Sequence, residues 1–95
     1  MLYAAVCIDK PDSLELRMAT RPVHLTWIEA NLSTIRTAGP LLDPKGENPI
    51  GSLFVVEAES LEAARAFMAQ DPYNGAGLFS SVDVRPWRMT FGTFG

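Results

Sequence analysis

Two short segments, Leu2 to Ile8 and Ser52 to Ala58, are apolar at odd and even positions alike. Successive side chains of a strand point to opposite faces, so a strand wetted on one face alternates apolar with polar. A run without that alternation predicts a strand covered on both faces, at the centre of a sheet. The first run stops at Asp9-Lys10-Pro11-Asp12, and the second leads into Glu57-Ala58-Glu59-Ser60. The rest of the chain has to be arranged around these two strands.

Asp12 and Glu15 have the spacing of a capping box, which predicts a helix starting at about Ser13. A break is expected at Arg21-Pro22, because proline disfavours helical geometry in the residue before it. Pro22 then suits the first position of a fresh helix. Leu25, Ile28, Leu32 and Ile35 follow at i, i+3, i+7 and i+10, a single apolar stripe. Gly39-Pro40 ends the helical region and leaves Leu41-Leu42-Asp43 room for only a short strand. Asp43 to Gly51 reads as a loop.

Ser60 is placed to cap a second helix, Leu61 to about Gln70, with Leu61, Ala64, Phe67 and Met68 turned inward. That helix must stop at Asp71, which precedes Pro72. Tyr73 to Gly77 reads as a turn. Leu78 to Met89 reads as a last strand, at the sheet edge because it contains Pro86. The order βαββαβ predicts an α+β chain of ferredoxin-like type, one domain over residues 1–95 with both helices on one face of an antiparallel sheet. The other sheet face is apolar too. A second copy of the chain is the expected cover, so the sequence predicts a homodimer.

Charge and rare residues then exclude whole classes of function. Eight basic residues against eleven acidic ones give a net charge of −3, which leaves no electrostatic footprint for nucleic acid. One cysteine, Cys7, excludes a disulfide framework within the chain, and one histidine, His24, excludes a multi-histidine metal cage. Cys7 sits inside an apolar strand and is expected to be a packed, inert thiol. No run approaches the eighteen or so apolar residues of a membrane helix, and no basic segment precedes the first apolar run. The expectation is a soluble cytoplasmic protein without membrane contact.

Few side chains remain that could carry chemistry. His24 lies beside the apolar stripe and near Trp27, where an imidazole could transfer protons; the plainer reading is a boundary histidine bonded to a backbone carbonyl. Asp71 before Pro72 is common turn chemistry. Arg21 at a helix start reads as an anion-binding arm or as a solvated charge. Ser52 follows Gly51, but no Gly-x-Ser-x-Gly elbow surrounds it. Gly75-Ala76-Gly77 lacks the third glycine and the preceding strand of a dinucleotide fingerprint.

Taken together, several blocks resemble one family. Arg21-Pro22-Val23-His24-Leu25, Ala38-Gly39-Pro40-Leu41, Gly51-Ser52, Glu59-Ser60-Leu61-Glu62-Ala63-Ala64, Asp71-Pro72-Tyr73 and Val84-Arg85-Pro86-Trp87 are similar to the YciI-like (YCII-related) family. The resemblance implies the dimeric α+β barrel variant of the ferredoxin-like fold, in which two sheets pack face to face. It also implies a catalytic pair at His24 and Asp71; in an enzyme reading Arg21, Ser52 and Tyr73 are the expected binders of a small-molecule substrate. One member of the family is a dehydrochlorinase acting on a chlorinated hydroxyhydroquinone. The implied activity is therefore general acid–base chemistry of the lyase or isomerase kind, with no cofactor and no metal. The alternative is a non-catalytic dimeric module that binds a small molecule in the same pocket. The loop between Asp43 and Gly51 looks short, which would alter one pocket wall.

Overall fold

The two doubly apolar segments are the two central strands. A computed structural model describes residues 1–94 and shows β1 (Leu2–Asp9), α1 (Leu14–Ala30), β2 (Ile35–Leu42), β3 (Pro49–Glu57), α2 (Leu61–Met68), α3 (Pro72–Gly75) and β4 (Phe79–Trp87). The sheet order is β2-β3-β1-β4, and every neighbouring pair is antiparallel. This is the ferredoxin-like α+β arrangement, with the proline-bearing β4 at an edge as expected. Among the described residues, no helix is long and apolar enough to cross a membrane.

Alternation along the central strands decides what is core. Tyr3, Ala5 and Cys7 face Val56, Phe54 and Ser52 across the β1–β3 ladder. With Ala64 and Met68 of α2 they form the buried core beneath the helices. Leu2, Ala4, Val6 and Ile8 point the other way, as do Leu53 and Val55. On that open face Val6 is 36%, Ile8 41% and Leu53 42% exposed, whereas Val55 is buried. Along the two central strands the second face is thus apolar, as they predicted, while β4 adds Asp83 and Arg85 at its edge.

α2 behaves as its sequence says. The Ser60 hydroxyl accepts from the Ala63 N–H at 3.0 Å, and Ala64 and Met68 are buried, with Leu61 and Phe67 packed against the core. Four other expectations are corrected. The first helix is not broken: α1 runs through Pro22. The carbonyl that Pro22 leaves unpaired belongs to Met18, an exposed residue, so water can satisfy it. Asp12 is not the cap; it stands at φ +55, and Ser13 occupies the cap position without a side-chain bond.

The third correction concerns the end of the helical region. α1 stops at Ala30, where the Asn31 amide donates to the Trp27 carbonyl at 2.8 Å. β2 then begins at Ile35, well before Gly39, since Thr34, Ile35 and Thr37 are β-branched and suit a strand. Fourth, the stretch after Asp71 is a short helix, α3, rather than a plain turn. One glycine is required by contact: a Cβ on Gly51 would collide with the Cys7 carbonyl, so Gly51 lets β3 approach β1 where Ser52 must face inward.

Candidate active site

α1 presents two buried side chains to the sheet, Arg17 and His24, seven residues and two helical turns apart on one face. Both are polar, so each needs partners from elsewhere in the chain. His24 finds Asp71. Its Nδ1 lies 2.8 Å from the Asp71 Oδ1. Asp71 is held there because α2 has ended and α3 begins with Pro72: the same Oδ1 accepts from the Tyr73 N–H at 2.9 Å and caps α3. A carboxylate can only accept, so the neutral imidazole carries its proton on Nδ1 and leaves the Nε2 lone pair free. Among the described residues Nε2 has no protein partner. The second Asp71 oxygen, Oδ2, is buried without a partner.

Tyr73 lies flat against His24, with ring centroids 3.8 Å apart and planes 16° apart. Burial pushes its phenol above the ordinary tyrosine value, so it remains a protonated donor. Arg17 sits over the same ring, its Cζ 4.6 Å from the centroid. The guanidinium is fixed from two strands. Nη1 donates to both oxygens of Asp9 at 3.0 Å, and Nη2 donates to the Ser52 hydroxyl at 2.7 Å. Burial pushes the Asp9 carboxyl up from its ordinary value, and Arg17 pulls against that shift.

A cavity of about 390 Å³ opens in front of these groups. Of the residues named from sequence, His24, Arg21, Ser52 and Tyr73 line it, and Asp71 stands behind His24. Arg21 is on the cavity wall but in the middle of α1, so no helix N-terminus stands beside it, contrary to expectation. Ser52 does not face the cavity as a free hydroxyl, since its oxygen already accepts from Arg17. Leu25, Ile28, Leu32 and Ile35, the stripe read from sequence, line the same cavity. Trp27 instead packs on Phe67, with centroids 5.0 Å apart, and holds α1 against α2.

Sequence reasoning missed Arg17 and Asp9. The signal available was the spacing of Arg17 one heptad before His24, together with an aspartate closing a central strand. Cys7, beneath the site, is buried, and desolvation followed by the nearby Asp71 charge pushes its thiol up to about 12. It is an inert packing residue, as expected. Among the described residues no group of three His, Cys, Asp or Glu side chains could hold a metal ion.

Comparison with known proteins follows the same outline. The YCII-related domain matches residues 1–88. Protein YciI of Escherichia coli O6:H1 is 40% identical, over 96% of this chain and all of that protein. Among solved structures, 5-chloro-2-hydroxyhydroquinone dehydrochlorinase (TftG) from Burkholderia phenoliruptrix AC1100, in complex with 2,5-dihydroxybenzoquinone, superposes with a TM-score of 0.88 at 31% identity. That match covers 95% of this chain and 96% of the dehydrochlorinase. A dimeric protein of unknown function and ferredoxin-like fold from Bacteroides fragilis matches with a TM-score of 0.51 at 17% identity, over 93% and 95% of the two chains, which bears on the fold alone.

Proposed function

The chain belongs to the YCII-related family, and from that premise we propose that it is a small enzyme doing general acid–base chemistry with His24 and Asp71. The observation that carries the reading is the 2.8 Å contact between Asp71 Oδ1 and His24 Nδ1 at the wall of the cavity. His24 Nε2 takes a proton from a ring-bound hydroxyl of the substrate. The ring reacts as its keto tautomer, in which the proton of another hydroxyl has moved to the carbon bearing X. The electron pair released then forms a C=O, shifts a ring double bond and expels X as its anion, so the sum is loss of one molecule of HX. Asp71 holds the imidazole in the right tautomer and stabilises the imidazolium that forms. Tyr73 keeps the ring flat, and Arg21 and the Arg17–Ser52 pair contact substrate oxygens. This is elimination of the lyase type, and the dehydrochlorinase relative is consistent with it.

The test is chloride release from 5-chloro-2-hydroxyhydroquinone, the compound named for that relative. His24→Gln is expected to lower the rate by about 10²-fold or more. Asp71→Asn keeps an oxygen for the Tyr73 N–H and removes only the charge, so it should slow release while leaving the fold intact. A His24→Gln rate equal to that of the unaltered protein would overturn the reading. Ligand bound and recovered unchanged would favour the alternative, a non-catalytic binding module.

The same reading includes a homodimer. Val6, Ile8 and Leu53 form an apolar patch on the sheet face away from the helices, and a second copy is the simplest cover for it. Sedimentation at micromolar concentration should give a mass near 21 kDa, twice the 10.4 kDa of one chain; a monomer would remove this part of the proposal.

A further inference from the structure

The cavity has an uneven charge distribution that its shape alone does not explain. Arg17, Arg21 and Arg36 all line it, and no aspartate or glutamate does. The chain as a whole is acidic, with a net charge of −3, so this concentration of cations runs against its composition. The carboxylates that belong to the neighbourhood stand behind the wall. Asp9 is spent on Arg17, Asp71 lies behind His24, and Glu57 pairs with Arg36 at 3.3 Å on the outside. Arg21 differs from the other two arginines: it makes no ion pair among the described residues. The lining therefore carries three guanidinium groups, and that of Arg21 is left without an acidic partner.

Apart from the arginines, His24, Ser52 and Thr37, the lining is hydrocarbon and aromatic. Leu25, Ile28, Leu32 and Pro40 give the cavity apolar walls that suit an apolar ring rather than a sugar or a peptide, while Tyr73 stays stacked between His24 and Arg17. A guanidinium on such a wall binds a planar oxyanion through paired N–H donors, and it does so most strongly where surrounding side chains exclude water.

We propose that this cavity selects an aromatic ring bearing an anionic oxygen group, and that Arg21 is the residue that reads the charge. The proposal rests on the cavity being the substrate site. Within that reading it names the substrate class, a hydroxy-substituted ring that carries an anionic oxygen group beside the hydroxyl that His24 deprotonates, in preference to its neutral counterpart. Arg17 is held by Asp9 and Ser52 and contributes a fixed positive edge, whereas Arg21 is free to close on the ligand.

The test compares two probes of nearly equal shape, 2,5-dihydroxybenzoate and 2,5-dihydroxybenzamide, by calorimetric titration into the full-length protein. The carboxylate is expected to bind about tenfold more tightly than the amide at low salt. Added salt should narrow that difference, because the charge is read near the cavity mouth. Arg21→Gln should abolish most of the preference, and Arg21→Lys should retain much of it. Arg21 is exposed, so neither variant threatens the fold, and circular dichroism would verify this. Equal binding of the two probes, no binding of either, or an unchanged preference in Arg21→Gln would each overturn the proposal. Its failure is separable from failure of the acid–base reading. Chloride release that survives His24→Gln would sink the latter and leave charge selection standing, while equal probe binding would do the reverse.

Discussion

The two long helices rest on the same sheet face by opposite means. α2 buries Ala64 and Met68, with Leu61 and Phe67 beside them, and needs no particular partner to do so. α1 is about twice as long, yet the side chains it buries are Arg17 and His24. Apolar area is removed from water wherever it lands, so α2 is seated by area. A buried guanidinium or imidazole is stable only opposite a matching acceptor, so α1, beyond the packing of Trp27 and Ile28, is seated by bonds to Asp9, Ser52 and Asp71. Three elements outside the helix fix its position. The difference teaches where a site can arise: α2 fills its share of the core, while α1 leaves a cavity lined by polar groups already held in place.

The largest expected effect breaks the α1 half of this contrast. Arg17→Ala leaves the Asp9 carboxylate buried without its partner and should destabilise the fold by about 3–5 kcal/mol. The double change Arg17→Met with Asp9→Leu removes both charges and should recover most of that loss. Denaturant midpoints of the two variants decide the matter, and equal destabilisation would mean that the loss does not come from the unpaired Asp9 charge. Next comes α2, where Met68→Ala should cost roughly 2–5 kcal/mol through the cavity it creates. Ligand affinity should hardly change, because Met68 does not line the site cavity. Binding of 2,5-dihydroxybenzoate measured well below the variant's melting temperature checks this, and a large loss would show the two halves to be coupled.

The smallest effect uses Cys7, on the sheet beneath the site. Its thiol titrates at about 12 when folded, against an ordinary value of 9.0. Below pH 9 both states keep the proton, and the group contributes no pH dependence. Between these values the unfolded chain releases the proton and the folded chain retains it, so stability falls as pH rises. The slope is at most about 1.4 kcal/mol per pH unit. The buried Tyr73 phenol adds in the same direction at higher pH. Urea melts of the unaltered protein and Cys7→Ala, from pH 8 to pH 10.5, should therefore converge at the alkaline end. Parallel curves would show that the thiol is not desolvated as described.

Legibility in the sequence follows the same division. The central strands, the edge position of β4 and the inward face of α2 are all visible, because apolar burial leaves a period in the chain. The contact between His24 and Asp71 comes only from the family resemblance, since 47 residues separate them and nothing local couples them. Arg17 and Asp9 leave only a weak signal, their spacing to His24 and to the end of β1, because a buried ion pair looks, in sequence, like two solvated charges. Pro22 misleads for a related reason. It disfavours the helix locally, but Arg17 on one side, bonded to the sheet, and His24 on the other, bonded to Asp71 at the start of α3, hold α1 continuous across it. The Leu25, Ile28, Leu32 and Ile35 stripe is misread as one helix face: α1 ends at Ala30 and Ile35 opens β2, yet all four line the cavity, since a ligand-facing wall and a core-facing one have the same composition.

That stripe has an evolutionary consequence. Leu25 is 36% and Leu32 62% exposed, so neither is committed to the core, yet both shape the cavity. Substitutions at these two positions can remodel the wall without disturbing the bonds that hold Arg17, His24 and Asp71. Descendants of one ancestral chain can then diverge in the compounds they accept while inheriting the same proton-handling groups. A library randomised at positions 25 and 32, with 17, 24 and 71 held constant, samples that route to new specificities.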